Sequence, residues 1–151
     1  MKLGDKKDVR LFVLLCVLCV VFSAGYRLFI VWGQSMSPTF INGQLIIVDK
    51  NHYKMFDPKV NDIVVLKDTD EGGYMIKRII ALPKDEVEII RGVIFVNKEK
   101  ILTDSISSYI GTDLDWGPVT LEKDFYFYFG DNRSYTAWGV THKSNILYKK
   151  R

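Results

Sequence analysis

Residues 74–83 read YMIKRIIALP, and the class of fold turns on how they are read. Aromatic and β-branched residues crowd the stretch and Pro83 closes it, so Tyr74–Leu82 is expected as a strand. A period of two places Met75, Lys77 and Ile79 on one face. A lysine between Met and Ile is either desolvated, which lowers its pKa with Arg78 adding a like charge, or an edge-strand lysine that blocks aggregation. Outward from it, Gln44–Val48, Asp62–Leu66, Glu86–Arg91, Val93–Val96 and Phe125–Phe129 repeat the same composition. Asn42-Gly43 and Arg91-Gly92 are turn points, the second closing a hairpin. In FYFYF, residues 125–129, Phe and Tyr alternate as on a half-buried strand. Residues 103–120, TDSISSYIGTDLDWGPVT, read as a surface excursion, and no repeat is evident. The expectation is an all-β domain.

The N-terminus differs. Lys2, Lys6, Lys7 and Arg10 precede an uncharged run from Leu11 to Tyr26. As a helix that run is about 24 Å long, short of a hydrocarbon core of roughly 30 Å. Leu28 to Trp32 would complete the span if Arg27 snorkels to the headgroups, with Trp32 in the outer aromatic belt. The chain then divides into a basic cytoplasmic N-terminus (1–10), a transmembrane anchor (11–32) and an extracytoplasmic β-rich domain (33–151). A cleaved secretory leader is the competing reading, since Ser23-Ala24-Gly25 is small, but the apolar run exceeds the usual leader core. Cys16 and Cys19 both fall in the apolar helix, which leaves the outer domain without a disulfide or a cysteine metal site. The net charge is +3, with Lys149, Lys150 and Arg151 at the end. That tail is either attracted to anionic lipid or wall polymer or simply solvated, and no motif points to nucleic acid.

Only two histidines exist, His52 and His142, and neither has acidic neighbours to suggest a triad or a metal site. A serine hydrolase without a histidine base needs another proton acceptor, and a lysine neutral near pH 7 can serve. Lys77 is the candidate, because most other lysines sit in polar runs. Residues 33–40, GQSMSPTF, follow directly on the apolar segment. Pro38 stiffens this loop, Gly33 lets backbone approach a ligand, and Ser35 would meet a substrate at the membrane surface. A solvated loop serine is the alternative.

Taken together these blocks resemble the type I signal peptidases, Ser/Lys enzymes that remove secretory signal peptides. Behind the anchor, Ser35-Met36-Ser37-Pro38-Thr39 is similar to the family's S-M-x-P-T. Asn61-Asp62-Ile63-Val64-Val65 is close to G-D-I-V-V, Tyr74 to Pro83 to Y-x-K-R-x-x-x-x-P, and Gly130-Asp131-Asn132-Arg133 matches G-D-N-R. The resemblance runs through nearly the whole chain in the family's order. It implies the signal-peptidase-like or LexA-like β fold behind one transmembrane helix. Ser35 is then the nucleophile and Lys77 the general base. Arg78 and Asp131 form a supporting ion pair, and Thr136 takes the place of a serine that hydrogen-bonds the lysine. The Ser35 N–H becomes one oxyanion donor. Some members carry a Ser or Thr side-chain donor two residues before the nucleophile; here that position is Gly33, so the donor is lacking, as is usual in the Gram-positive branch. Val31, Met36, Phe40 and Ile76 match positions lining a small apolar pocket that selects alanine.

Two departures stand out. After GDNR this chain reads SYTAWG, so the family's D-S-R segment and its second acid/base pair are missing. The interval from Arg78 to Gly130 is also short, which leaves no room for a large second domain. The implied partners are the signal peptides of exported precursors and membrane lipid, with no cofactor and no metal. The implied location is the cell membrane of a Gram-positive bacterium, single-pass, with the N-terminus inside. Two rivals remain. One is a signal-peptidase-like factor that assembles exported proteins such as pilins without cutting them. The other is a self-cleaving regulator of the LexA type, for which a DNA-binding segment is lacking.

Overall fold

A computed structural model describes residues 6–68, 72–101, 114–132 and 138–150. Its only long helix among these residues, α1 (Lys6–Gly25), holds 20 residues and is long and apolar enough to cross a membrane. Among the described residues its apolar run is left uncovered: Leu11, Phe12 and Leu15 are all more than half exposed.

The helix stops earlier than expected. Tyr26–Ile30, assigned above to the span, forms strand β1 and pairs antiparallel with β2 (Leu45–Asp49), from Tyr26↔Asp49 to Ile30↔Leu45. Trp32 lies beyond it, 88% exposed on a loop. The cause lies in side-chain spacing. YRLFI alternates, so one face carries Arg27 and Phe29 and the other Leu28 and Ile30. As a strand, Phe29 reaches the rings of Tyr74 and Tyr148 at 5.4 and 5.8 Å. Helical continuation would forfeit both contacts and the antiparallel pairing with β2.

Short antiparallel strands make up the remainder: β3 (Ile63–Lys67), β4 (Tyr74–Ala81), β5 (Glu86–Ile90), β6 (Val93–Val96), β7 (Glu99–Lys100), β8 (Trp116–Thr120), β9 (Phe125–Phe129), β10 (Gly139–His142) and β11 (Ile146–Lys150). They form a seven-stranded sheet, β1-β2-β11-β3-β4-β9-β10, and a four-stranded sheet, β7-β6-β5-β8. A single helical turn, α2 (His52–Met55), follows β2. The six strands expected from composition lie within a residue or two of those observed. β1, β7, β8, β10 and β11 escaped, being short or interrupted.

Two corrections follow. The basic tail is no solvated terminus: Lys149 pairs with Asp49 and Val64 in the ladder, and its ammonium meets Asp62 Oδ1 at 2.8 Å. Burial pushes the Asp62 carboxyl up, but Lys149, the Lys59 N–H and the Tyr53 hydroxyl outweigh it and hold that pKa down. Strand β9 is also not half-buried. Phe127 and Phe129 pack with Ile80, Ala81, Val87 and Ile94 on one face, while Tyr126, 3% exposed, packs with Tyr53, Val64 and Ile79 on the other.

β8 lies inside the stretch expected as an excursion, because Gly117 and Pro118 look like breakers. Gly117 makes the strand fit. Its φ is +89°, and a Cβ there would stand 2.6 Å from Val87 O on β5. Gly117→Ala is expected to cost about 2 kcal/mol or more through the strained φ and the forced shift of β5. Chemical denaturation checks it, with a midpoint equal to wild type as the contrary result.

Candidate active site

Ser35 is held in the wide connection of the β1–β2 hairpin. Backbone bonds pinch that loop at its base, Val31 N–H to Gln44 O and Gly43 N–H to Val31 O, both 2.8 Å. Gly33 takes a φ of +91°, a left-handed position where a side chain is strained even though space is free. Its N–H donates to Asn42 Oδ1 at 2.9 Å. Met36 and Phe40, 2% and 4% exposed, sink the loop into a cluster with Val31, Ile46, Val48 and Val65. Their burial fixes the turn that presents Ser35.

Lys77 comes from β4, 42 positions away. Its Nζ stands 3.1 Å from Ser35 Oγ and donates to Ile76 O at 3.2 Å. The residue is 4% exposed. Burial pushes its pKa below the ordinary lysine value, and Asp68 opposes that only in part. The like charge expected from Arg78 plays no comparable part, for a reason visible in the strand. Neighbouring side chains point to opposite faces, and Arg78 is occupied: its Nε and Nη2 grip Asp131 Oδ1 and Oδ2 at 2.9 and 2.7 Å, with Nη1 on Asn61 O at 3.1 Å.

Asp131, 4% exposed, also accepts from the Thr39 hydroxyl of the serine loop. The next N–H, of Asn132, donates to Ser35 O at 2.9 Å. One acidic corner thus ties the serine loop to the strand that carries the lysine. Neither Thr39 nor Asn132 was singled out from the sequence, since only the fold brings them to the site. The Ser35 N–H has no partner among the described residues. Thr136 and the point where D-S-R is lacking lie outside the described residues.

A small cleft of about 160 Å³ opens beside the pair, lined by Phe29, Val31, Met36, Tyr74, Ile76 and Lys77 among others. Val31, Met36 and Ile76, named above as pocket residues, are among this lining. Phe40 packs behind this wall in the same cluster. Phe29, Trp32 and Tyr74 were missed, the first two because β1 was read as helix. A group of three or more potential metal ligands is not found among the described residues.

A family model described as signal peptidase, peptidase S26, matches residues 7–149. The chain belongs to the type I signal peptidase family. It is 35% identical over 150 residues to Signal peptidase I P of Bacillus subtilis subsp. natto, covering 89% of this chain and 81% of that protein. To Probable signal peptidase I-2 of Synechocystis it is 32% identical over 146 residues, covering 87% of this chain and 66% of that one. The crystal structure of a signal peptidase I from Enterococcus faecalis matches with a TM-score of 0.50 at 21% identity, over 60% of this chain and 94% of that one. This last likeness supports the β architecture. As a type I signal peptidase the chain is a serine peptidase, a hydrolase of the family that removes signal peptides.

Proposed function

We propose that Ser35 and Lys77 form the catalytic dyad of a membrane-anchored endopeptidase that removes signal peptides from exported precursors. The observation that carries this reading is the lysine ammonium nitrogen 3.1 Å from Ser35 Oγ on a residue 4% exposed. A precursor lies extended beside Tyr74–Ile76, using main-chain hydrogen bonds. Neutral Lys77 takes the Ser35 proton as Oγ attacks the carbonyl carbon. The Ser35 N–H steadies the developing oxyanion. Lys77 then passes the proton to the departing amine, leaving an acyl-enzyme. Water attacks this ester with Lys77 again as base, the ester C–O bond breaks to release the new carboxyl end, and the protonated lysine returns its proton to Ser35 Oγ.

The small cleft between Val31, Met36 and Ile76 admits a small side chain such as alanine before the scissile bond. A pocket gains only ~1–3 kcal/mol per methylene, so larger residues are refused by clash. α1 holds enzyme and precursor in one bilayer, which raises their effective concentration.

The test is cleavage of a precursor bearing Ala-x-Ala by wild type, Ser35→Ala and Lys77→Ala in lipid vesicles. Wild type is expected to cut, and both variants to lose activity by ~10³-fold or more. Equal processing by all three sinks the dyad. Tight precursor binding without cleavage by wild type supports a non-catalytic assembly factor instead.

A further inference from the structure

Arg27 was expected to snorkel toward lipid headgroups, yet its guanidinium lies against Phe29 and Tyr74, two residues that line the substrate cleft. Phe29 and Val31 both line that cleft, and strand spacing puts Arg27 on the same face of β1 as Phe29. Ser35, Met36 and Ile76 line it with them. The Arg27 guanidinium lies over the rings of Phe29 at 5.1 Å and Tyr74 at 5.5 Å.

An extended substrate presents every second side chain to the same floor. If the residue before the scissile bond faces Val31, the third before it faces Phe29 and the fifth faces Arg27. The span agrees, since four residues of either strand cover about 13 Å. Direction follows from the anchor. α1 ends at Gly25, immediately before β1, and a signal peptide's apolar part precedes its cleavage point. Upstream residues must therefore leave the cleft toward Arg27 and the bilayer.

The guanidinium is accessible and keeps its charge at any physiological pH. Its N–H groups meet the hydroxyls of Tyr148, at 3.5 Å, and Tyr74, and with five N–H donors on an exposed side chain it keeps others for a ligand. An edge of parallel donors suits a carboxylate, which it can hold with two bonds. We infer that Arg27 is a specificity residue favouring precursors with Asp or Glu at the fifth position before the scissile bond. This rests on the dyad reading for the location of the scissile bond.

The test separates the two. Fluorescent precursor peptides that differ only at that position, Glu against Lys, are bound to full-length Ser35→Ala protein in nanodiscs and followed by anisotropy. Binding needs no turnover, so the result stands whether or not the wild-type protein cuts. The Glu peptide is expected to bind about fivefold more tightly, the upper range for a partly exposed charge pair. The ratio should fall to near one in Arg27→Gln and invert in Arg27→Glu. Equal affinities in the Arg27 protein overturn the inference, as does a Glu preference that survives Arg27→Glu. Arg27→Lys keeps the positive charge without the planar guanidinium and should retain a Glu preference, which separates loss of charge from collapse of the Phe29–Tyr74 stack.

Discussion

Lys77→Met is expected to abolish precursor cleavage, by ~10³-fold or more in kcat/KM, while raising the melting temperature. The two effects share one cause. A lysine in water titrates near 10.4, and burial at 4% exposure lowers that value in the folded protein. Between the folded and unfolded pKa values the unfolded chain holds a proton that the folded chain has released. Stability therefore rises with pH across that window, up to about 10.4, and the buried amine costs stability below it. Methionine has similar length and no charge to desolvate, so the cost disappears and the slope of stability against pH flattens. Catalysis shows the complementary limb: wild-type kcat/KM should rise as pH climbs through the folded pKa of Lys77, because only the neutral amine accepts the Ser35 proton. A pH–rate profile and melts of wild type and Lys77→Met across pH 6 to 10.5 check both. A variant no more stable than wild type at neutral pH would show that Lys77 is not penalised by burial.

Asp131→Ala is the substitution expected to damage the fold most. Asp131 is nearly inaccessible and receives three donors, two from Arg78 and one from Thr39. Removing it leaves the Arg78 guanidinium, whose side chain is 13% exposed, without its counter-charge. Breaking one side of a buried pair costs about 3–5 kcal/mol, against about 5–15 kcal/mol for the whole stability of a domain. A fall in Tm of roughly 10–20 °C is expected. The double variant Arg78→Met with Asp131→Leu should recover most of that loss, since no charge is then left unpaired. It should not recover activity fully, because the tie from Asp131 to Thr39 and the serine loop is gone. Urea denaturation gives the energies; a loss under about 1 kcal/mol for Asp131→Ala would mean water compensates Arg78.

How far the sequence could be read is clearest at particular residues. Tyr74–Ala81 announces itself as a strand through its own composition, and so does FYFYF. The blocks around Ser35, Lys77 and Asp131 mark a family because they keep order and spacing. β1 was misread because Leu28, Phe29 and Ile30 resume the apolar run beyond Arg27; only pairing with Leu45–Asp49 makes it a strand. β8 and β11 failed for related reasons. Gly117-Pro118 looks like a break until Val87 O packs against it, and a Lys-rich tail looks solvated until Asp62 receives it.

The sequence by itself determined the all-β class, the apolar N-terminal segment and the candidate pair Ser35 and Lys77. Each is a local property, written in the period of side chains or the order of a motif. Only the tertiary structure decided that Lys77 is buried and faces Ser35, that Arg78 spends its charge on Asp131, and that Arg27 lies over Phe29 and Tyr74. Those depend on contacts between strands far apart in the chain, 42 positions for the pair and 53 for Arg78 and Asp131. Desolvation and pairing energies do not exist until such contacts form, so no local pattern can carry them.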